Sequence, residues 1–330
     1  MAAKIDPSIL KALSLDAANT ALFSHGSSGF SSTYKLSSRG SDGEEKLYFV
    51  KTGGKGSEVM FAGEHLSLNT IHNIAPTLCP NSFAHGALSS SSGSFLATDF
   101  LNLSPPSSSK TGSGTSLAHK LAKLHSTPAP IPEGYEKPMF GFPVPTCCGE
   151  TVQDNEFKES WADFYAENRL RHILKCAETN QGASTSLSSL VQTTINKVVP
   201  RLLRPGHLIS PDGSPIVPIV VHGDLWSGNR GKGTIGTGGV EEVVFDPSAC
   251  YAHSEFEFGI MGMFGGFGGE FNKEYWEVKG KDEPVGEWED RRSLYELYHH
   301  LNHYSMFGGG YKSGAESIMR NLIKKYGEDN

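Results

Sequence analysis

Residues Val220-Val221-His222-Gly223-Asp224-Leu225-Trp226-Ser227-Gly228-Asn229 and, downstream, Val243-Val244-Phe245-Asp246-Pro247 constrain this chain more than any other stretch. Two apolar runs of strand length each end on an acidic residue, and an amide side chain follows the first acid by five residues. A carboxylate emerging from a buried strand stands where a site can form. Phosphoryl transfer from a nucleotide needs this set: one carboxylate to accept the proton of the attacking hydroxyl, and an amide with a second carboxylate to hold metal ions on the phosphates. Asp224 is therefore the candidate base, and Asn229 and Asp246 are the candidate metal ligands. His222 and Gly223 shape the turn. His-Gly-Asp alone would fit a capped turn equally well, and Asp246 alone would fit a turn starter before Pro247. The ordered set between two strand-like runs is far more specific.

At 330 residues the chain can bury a sizeable core, and its length allows one large domain or two lobes. A net charge of −7 gives no reason to expect nucleic acid as a partner, since phosphate backbones call for clustered Lys and Arg. Five cysteines form no C-x-x-C pair and no zinc spacing, which favours reduced thiols in a cytosolic setting. No run reaches membrane-spanning length, and the first residues carry no apolar signal region. The expectation is a cytoplasmic protein without a membrane partner, its oligomeric state open and a monomer favoured.

Periodicity predicts a short helix over 5–13, strands over 21–24, 32–37 and 46–51, and a helix over 59–71. A second strand pair follows over 84–88 and 94–100. The Ser-, Pro- and Gly-rich stretch 104–116 marks a boundary, placed at residues 101/102. Beyond it the pattern turns helical, at 117–125, 161–174 and from 256 to 325. Strand-like runs at 216–221 and 240–246 flank a Gly-rich connection over 231–239 that reads as a loose insert. An α+β, two-lobed fold follows. The β-rich N-lobe, 1–101, carries a five-stranded sheet and one main helix and binds nucleotide. The mainly helical C-lobe, 102–330, carries the catalytic loop.

Within that plan Lys51 closes the apolar run Leu47–Val50, where a Lys can pair with nucleotide phosphates once a helix carboxylate fixes it. Glu64 is the candidate partner, ahead of Glu58. Taken alone, Lys51 also suits an ordinary exposed strand position. Gly26-Ser27-Ser28-Gly29 could arch over the phosphates, although it lacks the full G-x-G-x-x-G pattern and suits a plain hairpin turn as well. Asp99-Phe100-Leu101 falls where an inter-lobe hinge would read adenine, and equally at a normal strand end. Most aromatics of the cluster Tyr295 to Tyr304 read as helix core, while Asn302 and His303 could face a sugar.

The segment His222 to Asn229 closely resembles the catalytic signature of the fructosamine (ketosamine) kinases, of the aminoglycoside-phosphotransferase-like branch of the protein-kinase-like fold. Phe49-Val50-Lys51, Gly63-Glu64, Leu121 to His125, Phe140-Gly141-Phe142, Thr146-Cys147-Cys148-Gly149, Ser254-Glu255-Phe256-Glu257, Met263 to Phe267 and Leu301-Asn302-His303 are similar in consistent order from about residue 20 onward. The resemblance implies an enzyme using ATP and Mg²⁺, with the ATP site in the cleft between lobes. It would phosphorylate the C3 hydroxyl of a ketosamine on a protein lysine or free amine, and the 3-phosphate then makes the adduct fall apart. It also implies that Lys51 and Glu64 bind phosphate, and that His222, Trp226, Glu255, Asn302 and His303 lie near the acceptor. Unlike relatives with a Cys in the glycine-rich loop, this chain has a Ser-rich loop that lacks any Cys. A small-molecule kinase of the aminoglycoside or choline type keeps the chemistry with another acceptor. A silent pseudokinase acting as a binding module would have little reason to retain Lys51, Asp224, Asn229 and Asp246, whose clustered carboxylates are costly without a metal.

Overall fold

The structure is a computed structural model and describes residues 3–27, 29 and 31–327. Its contacts gather into two compact units: Met1–Lys120 with Gly228–Ser248, and Leu121–Ser227 with Ala249–Asn330.

The first unit is built on an antiparallel sheet of β1 (Thr20–Ser27), β2 (Ser32–Arg39), β3 (Glu45–Gly53), β4 (Ser82–Ala87) and β5 (Ser94–Asp99), in the order β1-β2-β3-β5-β4. Alternation decides what each face carries. Tyr48 and Val50 of β3 join Leu22, Leu36, Phe95 and Ala97 in a core covered by Ile9 of α1 (Pro7–Leu13). Phe49 and Lys51 consequently point to the opposite face. There α2 (Ser57–Ile74) packs on β4 and β5 through Phe61, Leu68 and Ile71. Glu64 falls on that same stripe, three residues after Phe61 and four before Leu68, as its one acid.

A three-stranded sheet completes this unit, with β6 (Leu101–Asn102), β10 (Arg230–Ile235) and β11 (Val240–Val244) in the order β11-β10-β6. The unit runs past residue 101, where the sequence places a boundary, because the following stretch is tied to β11. Val240 N donates to Lys110 O at 2.9 Å, Ser113 N to Glu241 Oε1 at 2.6 Å, and Lys120 Nζ reaches Glu241 Oε2 at 2.6 Å. Residues 231–239 are not the loose insert expected: most form β10 and its turn. A Cβ on Gly231 would stand 2.7 Å from Leu103, and one on Gly233 would stand 2.4 Å from Asn102 O. At Gly233 the neighbouring backbone approaches too closely for a side chain, and at Gly231 the Leu103 side chain fills the space a Cβ would take, so glycine stands where β-branched residues would signal a strand.

In the second unit β9 (Ile219–Val221) pairs with β12 (Cys250–Ala252), and β7 (Cys147–Cys148) with β8 (Thr151–Val152). Helix α3 (Leu117–His125) enters this unit at Leu121. Helical segments cover 161–181 and 185–203, and are followed by α4 (Glu257–Phe264), α5 (Gly269–Lys279), α6 (Trp288–Phe307) and α7 (Tyr311–Tyr326). Trp161, Tyr165, Phe256, Tyr295 and Tyr298 pack ring against ring at the centre, so these aromatics are core, as expected of most of the cluster. No helix among the described residues is long and apolar enough to cross a membrane.

Candidate functional site

In the first unit Lys51 is buried, and its Nζ donates to Glu64 Oε1 and to Asp246 Oδ1, both at 2.7 Å. Burial opposes the Lys51 charge, but the Glu64 and Asp246 carboxylates outweigh it, so its pKa is raised and the ammonium persists. Glu58, the alternative partner, is exposed in the first turn of α2. Asp246 follows β11 in a left-handed conformation, φ 57°, which costs a non-glycine residue about 1 kcal/mol and which Asp tolerates better than most. Phe245 N donates to Asn229 O at 3.1 Å, so Asn229 and Asp246 emerge at the same end of the β10–β11 hairpin.

Beside this charged group lies a cavity of about 200 Å³. Its charged end is Lys51, Glu64 and Asp246, and its apolar walls are Phe49, Leu68, Leu101, Leu103 and Phe245. An apolar cavity bounded at one end by a fixed cation suits a base at one end and phosphates at the other. Asp99 and Leu101 line it, but their backbone is partly spent: Asp99 N donates to Asn81 O, Leu101 pairs with Ile235, and Phe100 O accepts from Gly236 N at 3.1 Å. Phe100 itself is buried, with its ring against His25. His25 also lines the cavity, a residue whose place before Gly26 was the only signal for it. Gly26 adopts φ 109° at a bulge between Ser24 and Ser27, and Gly29 is exposed. Ser28, and the side chain of Ser27, fall outside the described residues.

In the second unit β9 delivers the other half of the signature. Val220 and Val221 are fully buried, and Gly223 turns the chain at φ 81°. A residue that motif reasoning gave no role, Glu257, holds this turn: its carboxylate accepts His222 N at 2.6 Å and Gly223 N at 3.0 Å. His125 Nε2 stands 3.5 Å from Glu257 Oε2, at the outer limit of a hydrogen bond. Burial would raise the Glu257 pKa, yet its His125 and His222 partners bring it below the ordinary value and keep it ionised. His222 is itself buried, and its Nδ1 accepts from Asp224 N at 3.3 Å. It therefore braces the turn. Leu225 anchors the following residues in the core.

Asp224 is partly exposed, and Cys148 Sγ reaches its Oδ1 at 3.9 Å. Trp226 is exposed and leans on Phe264, with ring centroids 5.8 Å apart; Phe264 in turn meets His303 at 5.2 Å. The expected acceptor-side residues separate here. Trp226 and His303 belong to this open aromatic strip. Asn302 is fully buried and donates to Cys148 O at 3.2 Å. Glu255 is fully buried with both oxygens on Arg291, at 2.7 and 2.9 Å, so its carboxylate is not displayed to a ligand.

Among the described residues His253, Glu255 and Asp282 also stand close enough to hold a metal. Their ligand atoms are already engaged: Glu255 by Arg291, and His253 by Tyr295 Oη and Asp282 Oδ2, each at 2.8 Å. This cluster is structural. Asn229 and Asp246 fit a divalent cation better, because they offer the hard oxygen atoms that Mg²⁺ prefers, and the Asp246 side chain is half exposed.

The fructosamine kinase family model matches residues 20–325. A protein-ribulosamine 3-kinase, chloroplastic, from Oryza sativa is 35% identical over 277 residues, 84% of this chain and 72% of that protein. A ketosamine-3-kinase from Mus musculus is 33% identical, covering 86% of this chain and 90% of its own length. A solved putative fructosamine-3-kinase from Thermobifida fusca superposes with a TM-score of 0.72 at 23% identity, over 97% of this chain and all of that one. The α+β arrangement is thus the protein-kinase-like fold. The chain belongs to the fructosamine kinase family.

Proposed function

We propose that this enzyme is an ATP-dependent ketosamine 3-kinase, acting on fructosamine and ribulosamine adducts carried by protein lysines or free amines. The observation that carries the reading is Lys51, buried and held by Glu64 and Asp246 at the charged end of an apolar cavity. The acceptor is supported by kinship with the rice and mouse proteins, which are named for ribulosamine and ketosamine. In this reading the apolar walls around Phe49 and Leu101 take the adenine of ATP, with Asp99 to Leu101 beside it. Lys51 holds phosphate oxygens, and Gly26 and Gly29 offer them backbone N–H groups.

Asp224 accepts the proton of the C3 hydroxyl as its oxygen bonds to the γ-phosphorus and the bond to ADP breaks. Asn229 and Asp246 would hold Mg²⁺, which when bound neutralises charge on the phosphate oxygens. Trp226 and His303 flank the sugar. Asn302, His222 and Glu255 support the site from within the core. Enolisation of the C2 carbonyl toward C1 gives an enaminol whose electron pair expels the C3 phosphate as inorganic phosphate, and water then hydrolyses the resulting C1 imine to free the amine, a deglycation repair. The cysteines are free thiols, which fits a reducing, cytosolic setting. The test is ADP release from ATP and Mg²⁺ with fructosyl-lysine, ribulosyl-lysine, an aminoglycoside and choline in parallel. Release with neither ketosamine would reject the reading, and release with choline or the aminoglycoside alone would move the acceptor class.

A further inference from the structure

We infer that Cys148 is a positioning residue for Asp224: its thiol, fixed in place by helix α6, hydrogen-bonds the carboxylate and aims it at the acceptor hydroxyl. The inference rests on the reading of Asp224 as the base. Cys148 ends β7, and the β7–β8 hairpin is gripped by one stripe of α6 made of Tyr298, Asn302 and Met306, spaced four residues apart. Tyr298 Oη accepts from Gln153 Nε2 at 2.8 Å, and Asn302 Nδ2 donates to Cys148 O at 3.2 Å. Gly149 turns at φ 62° directly on Met306, so that a Cβ there would stand 2.6 Å from Sδ. Thr146 and Gln153 close the hairpin from below, with Gln153 N donating to Thr146 O at 2.8 Å. The Cys148 backbone therefore has little freedom, and its Sγ is delivered 3.9 Å from Asp224 Oδ1.

The chemistry of the group suits the task. Cys148 is buried at 2% exposure, and that burial, followed by the Asp224 charge, holds its pKa well above the ordinary thiol value. It stays an S–H donor and does not compete for the acceptor's proton. A Lys or Arg in its place would pair with Asp224 and depress the basicity that proton abstraction needs. A weak neutral donor orients the carboxylate without neutralising it. Asn302, whose side-chain amide donates to the Cys148 carbonyl, acts on the reaction through Cys148.

The experiment compares Cys148→Ala, Cys148→Ser, Asn302→Leu and Asp224→Asn with the wild-type chain, measuring kcat, both KM values and melting temperature. Cys148→Ala is expected to lower kcat about tenfold with both KM values within about twofold, and Cys148→Ser to recover most of that loss. Asn302→Leu should show a similar kcat deficit, and adding Cys148→Ala to it should cost little more. Should Cys148→Ala fail to fold, Cys148→Ser and Asn302→Leu still decide. An unchanged kcat in Asn302→Leu, or equal losses in the Ser and Ala variants, would overturn the proposal, because the donor would then be irrelevant. A folded Cys148→Ala with wild-type kcat would overturn it too, while an inactive Asp224→Asn leaves the base reading standing. Wild-type turnover in Asp224→Asn would instead remove the base itself.

Discussion

Glu257→Gln is the sharpest perturbation available in the second unit, because it deletes a charge without changing shape. The wild-type carboxylate is 1% exposed and accepts two backbone N–H groups of the catalytic turn, at 2.6 and 3.0 Å. A glutamine retains one acceptor oxygen but turns an amide N–H₂ toward the other donor. One buried N–H is then left without an acceptor, at about 1–3 kcal/mol, and loss of charge assistance on the other bond costs about 1 kcal/mol more. The variant should therefore be about 3 kcal/mol less stable at neutral pH. All four tryptophans, Trp161, Trp226, Trp276 and Trp288, belong to the second unit, so their fluorescence reads its unfolding in urea directly. With a slope of about 2 kcal/mol per molar, the midpoint should fall by about 1.5 M. The pH dependence has a definite sign. A carboxyl whose folded pKa is lowered stabilises the fold above its unfolded value of about 4.3, and the contribution is lost as pH falls through the folded value. The gap between wild type and variant is thus widest at pH 7 and narrows below pH of about 4. Because the turn carries Asp224, kcat should drop about tenfold or more. Coincident urea midpoints at pH 7 would refute the argument, whatever the kinetics.

Asp224→Asn should lower kcat by orders of magnitude while ATP affinity, followed by calorimetry, stays near wild type. Lys51→Met leaves the Glu64 and Asp246 carboxylates without the cation between them, and the KM for ATP should rise about tenfold or more. Since those carboxylates raise the Lys51 pKa against its burial, ATP binding by the wild-type chain should show no ionisation of this lysine below pH of about 10; a loss of affinity centred near pH 8 that is absent from Lys51→Met would contradict it. Asp246→Asn should move the Mg²⁺ half-saturation point upward about tenfold, and an unchanged Mg²⁺ titration would remove Asp246 from the metal site. Trp226→Ala should raise the ketosamine KM several-fold with little effect on the ATP KM.

The sheet and its lysine were legible because period-2 alternation is a local signal: Val50 buried against Leu36 and Phe95 forces Lys51 to the other face. Glu64 was legible for the corresponding helical reason, as the acid on the Phe61–Leu68 stripe. Strand β10 was not, because the Asn102 backbone beside Gly233 and the Leu103 side chain beside Gly231 leave glycines where β-forming residues would signal a strand. Glu257 and Cys148 stand in segments similar to the family, but nothing in the sequence gives either a role. Their function depends on partners far along the chain, His222 N and Asp224 Oδ1, which only tertiary structure brings to them.

The buried acids then sort themselves by how fully the protein uses their oxygens. Glu255 gives both oxygens to Arg291. Glu257 gives both to the His222–Gly223 turn. Asp282 takes His253 on one oxygen and Lys279 on the other. Each is almost wholly out of water, and a carboxylate so placed can change partner only by leaving a desolvated charge unpaired, at several kcal/mol. Such groups cannot accept a proton or exchange a ligand at every turnover. Asp224 and Asp246 are not sealed from water in this way: Asp224 is partly exposed, and Asp246 has half its side chain in solvent while Lys51 engages Oδ1. A group that must trade a substrate proton or a metal–phosphate contact in each cycle has to keep access of that kind. The same criterion separates Glu255 from Trp226 and His303 on the acceptor side, although all three stand out equally in the sequence. Access to solvent, more than motif membership, divides these polar residues into those sealed within the protein and those open to an exchanging ligand.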